Sequence, residues 1–458
     1  MKMIYKNYSF QLLIFTGMGL LLLLLMNSCR GPAHLSYSEE RNLNKMISDS
    51  EVFNSGFTGF LIMDAESRKV VYEKDSDKYF TPASNIKIFT LYTALEILGD
   101  SIPLFFYSQF GDTLRIRASG GPSLNSPHFP PEENALELLS RAGINHLEIS
   151  YGNYRDYRFG PGWAWDDYIY IYQAERTPLS LFGNRVRLTF FPGDSIPAVF
   201  PDFFEKKVKF KQKDHPMPGR VYVGRSEFDN EFYYYSDGLH TDTIERYIPL
   251  VVDSLTVIEK WEYFTGLEVR WIDPGPDTGI YWKPIYSIQP DSIYRRMMWE
   301  SDNYLAEQLL MTCAGVKLDT LKSTLVIDYV LDSLLSNMPH EFNWWDGSGL
   351  SRYNLTTPAN LVYILKKLYD SKYRKKVLFY FPAGGKSGNL KDSYSGTSEP
   401  YVYAKTGTLR NHNALSGYLV GASGKTFIFS FMHSQFPGSS ALHRIEMERV
   451  LRFLNSHL

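Results

Sequence analysis

Thr81-Pro82-Ala83-Ser84-Asn85-Ile86-Lys87 constrains this chain more than any other stretch, because it joins a helix start to a pair of reactive neighbours. Pro82 suits a first helical turn. Behind it Ile86, Phe89, Leu91, Leu95 and Leu98 recur at roughly helical spacing, so a buried helix opens at or just before Ser84. Residues three apart on a helix share a face, which sets the ammonium of Lys87 beside the hydroxyl of Ser84. A serine hydroxyl is a poor nucleophile until an adjacent base accepts its proton. Lysine, with a free pKa of about 10.4, becomes that base only where burial or nearby cations lower the value, at about 1.4 kcal/mol per unit.

The S-x-x-K pattern alone also describes a capped surface helix, so its weight comes from two later stretches. Ser301-Asp302-Asn303 heads an apolar segment containing Tyr304, Leu305, Leu309 and Leu310, and Lys405-Thr406-Gly407-Thr408 ends the strand-like run Tyr401-Val402-Tyr403-Ala404. Taken singly, the first reads as a helix cap and the second as a strand end and turn. Taken together and in this order, S-x-x-K, S-D-N and K-T-G are the signature set of penicillin-recognising serine enzymes.

The flanks narrow the match. Phe80-Thr81-Pro82-Ala83-Ser84-Asn85, Gly162-Trp163-Ala164-Trp165-Asp166-Asp167, Asp346-Gly347-Ser348-Gly349-Leu350-Ser351-Arg352 and Ala404-Lys405-Thr406-Gly407-Thr408-Leu409 are the segments concerned. On these the chain resembles the D-Ala-D-Ala carboxypeptidase/endopeptidase family typified by penicillin-binding protein 4, from about residue 57 to 435. Ser301 lies 217 positions after Ser84 (301 − 84), room for the large insertion of that family, which compact β-lactamases lack. Two positions depart from its pattern: Gly121 stands where an acid is usual, in Ala118-Ser119-Gly120-Gly121-Pro122-Ser123-Leu124, and Asn389 where a threonine is common.

The resemblance implies a role for each motif residue. Ser84 attacks the carbonyl of the penultimate D-Ala to form an acyl-enzyme, Lys87 takes its proton, and Ser301 passes a proton to the departing amine together with Lys87 or Lys405. Asn303 meets the peptide bond of the acyl donor. Lys405, Thr406 and Thr408 face the terminal carboxylate, Gly407 lets the substrate approach the strand, and the N–H groups of Ser84 and Thr408 form the oxyanion hole. The partners implied are a peptidoglycan stem peptide and β-lactam antibiotics, with no cofactor. Cleavage of cross-links is a further option. A β-lactamase or esterase of the same superfamily, or a wall-binding lipoprotein without turnover, are the alternatives.

Asp346-Gly347-Ser348-Gly349 lacks the context of a nucleophile elbow and reads as a Gly-rich loop near the site. Asp166 and Asp167 read as turn or surface acids, and the ten histidines show no ligand spacing, so no metal is expected.

Lys2 and Lys6, the apolar run from Phe10 to Met26 and Asn27-Ser28-Cys29 describe a secretory leader. The cysteine makes it resemble a lipoprotein signal over residues 1–28, with Cys29 lipidated, residues 29–35 a linker, and the protein held at a membrane, on its periplasmic face. An uncleaved membrane anchor is the rival reading. Cys313 then stands alone and reads as a small buried helix residue. The formal charge of -2 becomes -4 once residues 1–28, with two lysines and no acids, are removed, and suggests no nucleic-acid partner.

A chain of 458 residues exceeds one average core. The expected fold class is α+β: a split β-lactamase/DD-peptidase-like catalytic domain, an antiparallel sheet with helices, at 36–98 and 291–458, around an inserted mainly β region at 99–290. Helical texture at 36–52 is followed by a hairpin from Phe57 to Tyr72, and the sheet is completed by Tyr401 to Lys405, Ala414 to Val420 and Thr426 to Met432, with Ala441 to Leu454 as a closing helix. Between them lie short β-like runs punctuated by Pro and Gly, as at Gly160-Pro161-Gly162 and from Pro274 to Gly279.

Overall fold

The structure, a computed structural model, describes residues 35–272 and 279–458. The leader with Cys29 and the turn residues Pro274, Gly275 and Pro276 lie outside the described residues. Helix α1 (Tyr37–Ser48) starts from a capping box formed by Ser36 and Glu39. The hairpin β1 (Phe57–Asp64) and β2 (Val70–Lys74) follows, and a short 3-10 turn, Ala83–Asn85, leads into α2 (Ile86–Ile97). Every side chain of α2 from Ile86 to Leu95 is buried, so this helix is apolar all round and runs through the core.

The next region holds β3 (Pro103–Phe110), β4 (Thr113–Ala118), α3 (Glu133–Leu139), β5 (His146–Ser150), β6 (Arg185–Phe190), β7 (Ala198–Phe200), β8 (Val208–Phe210), β9 (Tyr222–Arg225), β10 (Phe232–Tyr235), β11 (Ile244–Pro249), α4 (Ser254–Thr265), β12 (Glu268–Ile272) and β13 (Lys283–Tyr286). They form a mixed five-stranded sheet, β12-β5-β4-β3-β13, and two three-stranded sheets, β11-β6-β7 and β8-β10-β9. A core of their own, with Trp261, Phe105, Phe182 and Phe190 inside it, holds them together. Helix α4 begins with Asp253 accepting from the N–H of Thr256 and ends at Gly266 in the left-handed region, φ 70°.

Helices α5 (Pro290–Trp299), α6 (Asn303–Leu318), α7 (Ser323–Tyr329), α8 (Pro358–Asp370) and α9 (Arg374–Tyr380) precede β14 (Val402–Leu409), β15 (His412–Val420), β16 (Thr426–Ser434) and α10 (Ala441–His457). The main sheet has the order β14-β15-β16-β1-β2, antiparallel throughout, so strands from both ends of the chain share it. Its two faces are sorted by the two-residue repeat. Phe60, Ile62, Val402, Ala404, Phe429 and Phe431 pack with α1 and α10, whereas Leu61, Ala414, Tyr418, Ile428 and Met432 pack with α2, α5, α6 and α8.

Candidate active site

Ser84 sits in the 3-10 turn ahead of α2, half-buried, and the first full helical residue is Ile86. The turn is held in a tight backbone: Ala83 has φ 48°, and its carbonyl packs on Gly349, where an added Cβ would lie 1.9 Å from that oxygen. One turn on, the Nζ of Lys87 donates to Ser84 Oγ at 3.0 Å, to Asn303 Oδ1 at 2.6 Å and to the carbonyl of Ser348 at 2.7 Å. Three acceptors match the three protons of an ammonium.

Burial holds the Lys87 pKa down to about 8, against the opposing pull of Asp346, Glu307 and Asp302. Those acids also build the wall on which Lys87 leans. Asp346 accepts from the N–H groups of Gly349 (2.9 Å) and Ser351 (2.6 Å), from Asn354 Nδ2 (2.8 Å) and from Trp163 Nε1 (2.9 Å). Glu307 accepts from the N–H of Ser348 at 2.8 Å, and its other oxygen takes Arg176 Nε and Nη2 at 3.0 and 2.7 Å. The loop 346–351 is thereby fixed with the Ser348 carbonyl aimed at Lys87. Burial pushes the Glu307 carboxyl up, while Arg176 pulls it back.

Asn303 opens α6 and uses its amide twice inside the protein, Oδ1 towards Lys87 and Nδ2 to the carbonyl of Tyr172 at 2.8 Å. One lone pair and one N–H remain for a substrate peptide. Asp302 caps the helix through the N–H of Leu305. Burial works against its charge, but Arg185 and Arg296 overcome this and hold the carboxyl at about 2. Ser301, with φ 56°, lines the same cleft as Asn303 and Tyr172, and makes no hydrogen bond to either lysine among the described residues.

Strand β14 is the edge of the main sheet, which determines what its residues can offer. Ala404 N donates to the carbonyl of Pro382, and Gly384 N to that of Val402, so even-numbered residues turn their backbone groups to the free edge. By the same repeat the N–H groups of Thr406 and Thr408 face that edge, beyond the reach of residues 382–384. The Ser84 turn lies alongside: a Cβ on Gly407 would meet the Pro82 carbonyl at 2.5 Å and Asn85 N at 3.2 Å. Gly407 is therefore required by a close approach.

The pleat separates the K-T-G-T side chains. Lys405 and Gly407 face α2, and Thr406 and Thr408 face α10, across the edge from one another. Lys405 is buried and donates to the carbonyl of Thr406 at 2.9 Å. Burial, and then the charge of Lys87, hold its pKa well below the ordinary lysine value.

The motif residues expected from sequence thus gather at one place, with Thr406 and Thr408 on the far side of the strand from Lys405. Sequence reading passed over Glu307, Arg176 and Asp346 as supports. Its one available signal was a charged residue inside the apolar run of α6. Of the two departures, Gly121 has no space for an acid, since a Cβ would stand 2.2 Å from the carbonyl of Pro103, and Asn389 lies on the cavity that Thr406 and Thr408 line.

The family model described as D-Ala-D-Ala carboxypeptidase 3 (S13) matches residues 39–213 and 288–453. The D-alanyl-D-alanine carboxypeptidase DacB of Haemophilus influenzae is 22% identical over 431 residues, covering 85% of this chain and 87% of that protein. A D-alanyl-D-alanine carboxypeptidase of Actinomadura sp. (strain R39) is 23% identical over 446 residues, covering 86% and 81%. The solved structure of penicillin binding protein 4 from Haemophilus influenzae shares the fold, with a TM-score of 0.68 at 18% identity over 90% of this chain and 97% of that one. The two matched stretches take in most of the chain and carry all three motifs, so the chain belongs to the D-Ala-D-Ala carboxypeptidase 3 (S13) family.

Proposed function

We propose that this S13 enzyme, a serine-type D-Ala-D-Ala carboxypeptidase, acts on peptidoglycan stem peptides through an acyl-enzyme on Ser84. The observation that carries the reading is the 3.0 Å contact between Lys87 Nζ and Ser84 Oγ inside a buried, three-acceptor site. When Lys87 is neutral its lone pair points at the serine hydroxyl and the hydrogen bond reverses. Ser84 Oγ then bonds to the carbonyl carbon of the penultimate D-Ala while its proton passes to Lys87. The N–H groups of Ser84 and Thr408 hold the oxyanion, at ~3 kcal/mol per donor.

As the C–N bond breaks, the proton that Lys87 took from Ser84 passes through Ser301 to the departing amine. Water then cleaves the ester and restores Ser84. Asn303 positions Lys87 and the acyl-donor peptide bond. Lys405 from one face of β14, and Thr406 and Thr408 from the other, attract the terminal carboxylate at the open edge.

Intact mass after incubation with benzylpenicillin, beside a Ser84→Ala control, tests the reading. A penicilloyl adduct on the wild type alone supports it, and an unmodified wild type with the drug intact sinks it. The leader supports a lipid anchor at Cys29 and a place on the periplasmic face of a membrane. Loss of palmitate labelling in Cys29→Ser checks that part separately.

A further inference from the structure

A cavity of about 660 Å³ lies behind the K-T-G-T strand, between Thr406, Thr408, Asn413 and the α10 residues Arg444 and Glu448. None of the expected motif residues except the two threonines belongs to it. Its polar groups have a common sense. Thr408 Oγ1 donates to Asn413 Oδ1 at 3.3 Å, which turns the Asn413 amide so that its Nδ2 is free. Asn413 is 2% exposed, and that Nδ2 has no hydrogen-bond partner among the described residues. A buried donor without an acceptor is costly, and an acceptor on a ligand entering the cavity would satisfy it.

Arg444 adds charge to the same lining. Its guanidinium makes no hydrogen bond or ion pair among the described residues, although the neighbouring acid Glu448 is engaged by Arg452 at 2.7 Å. Asp392 sits on the exposed rim. The Thr406 hydroxyl, the Asn413 amide N–H and a guanidinium therefore line, from β14, β15 and α10, one space next to the open strand edge, while the Thr408 hydroxyl proton is taken by Asn413.

We propose that Asn413 and Arg444 are specificity residues for the free carboxylate on the leaving-group side of the scissile bond, extending the contact made by Thr406 and Thr408. This rests on the carboxypeptidase reading. Asn413 and Arg444 touch neither the serine nor the lysines that carry the chemistry, so they act on binding. A guanidinium and an amide hydrogen-bond a carboxylate far better than they do a neutral carboxamide.

The test compares kcat/KM for a peptide ending in D-Ala-D-Ala with that for its C-terminal amide, in the full-length wild type, Arg444→Gln, Asn413→Asp and Arg449→Gln. The wild type is expected to prefer the acid. Arg444→Gln lowers that preference about tenfold, through KM rather than kcat, and Asn413→Asp, which turns the donor into a repelling acceptor, lowers it at least as far. Arg449→Gln, on the same helix but paired with Glu446, keeps the wild-type ratio. If Arg444→Gln and Asn413→Asp keep it too, the proposal is overturned while the carboxypeptidase reading stands. If the wild type cleaves neither peptide, both fall.

Discussion

Lys87 donates three hydrogen bonds, to a hydroxyl, an amide and a carbonyl, whereas Lys405 donates one, to the carbonyl of its own neighbour Thr406. Both are fully buried. Around Lys87 stand three acids, Asp346, Glu307 and Asp302, which offset part of the burial and leave its pKa near 8. Around Lys405 burial is compounded by the charge of Lys87. One lysine is balanced by the protein and poised to exchange a proton near neutrality. The other has its charge penalised by the fold, a penalty that a bound anion would relieve. The same residue type is thus held in two electrostatic settings by its neighbours alone.

The sharpest break of this contrast comes from removing what the lysines serve: Ser84→Ala should abolish the penicilloyl adduct and lower kcat by at least about 10⁴-fold, read by mass and by D-alanine release. Next, Lys87→Met should lower kcat about 10³-fold with KM little changed, as expected for a lost base. Lys405→Met should instead act mainly on KM, raising it about 10²-fold. Equal kcat losses in the two variants would erase the distinction.

The pH profile sharpens it further. Below about 8 Lys87 is protonated, so acylation should fall about tenfold for each unit of pH and level off above that value. Asp346 raises the Lys87 pKa, so Asp346→Asn should move this rising limb to lower pH, and a limb that stays in place would remove Lys87 from the role of base. The smallest effect is expected from Gly349→Ala. A methyl group 1.9 Å from the Ala83 carbonyl at φ 81° should cost about 1–3 kcal/mol in thermal unfolding and loosen the serine turn.

Much of the site could be read before any fold was known, because Ser84, Lys87, Ser301, Asn303 and Lys405 belong to short motifs whose chemistry fixes residue type and local spacing. The main sheet was legible for a similar reason: β1, β15 and β16 are long apolar strands bounded by turns. What escaped depends on distant packing. In sequence Asp346 reads only as part of a Gly-rich loop near the site; that four donors point at its carboxylate follows from the fold. That Lys405 and Thr406 approach the strand edge from opposite faces follows only once the segment is placed as a strand, since adjacent strand residues face opposite ways. Helices α3 and α4 are not legible among the short β-like runs of the sequence, since α3 has only seven residues and α4 is stabilised by burying Trp261 in a β-rich core.

The sheet that draws β1 and β2 from one end of the chain and β14 to β16 from the other has a consequence for biosynthesis. Its strand pairings are of high contact order, so loop-closure entropy must be met before β16 can add beside β1, and such topologies fold late. Ser84 is synthesised early, but Lys405 and Thr408 emerge some 320 residues afterwards. A nascent chain therefore carries Ser84 and Lys87 without the edge strand that completes them. The motif residues of both ends come together only when β14 to β16 and α10 close the sheet.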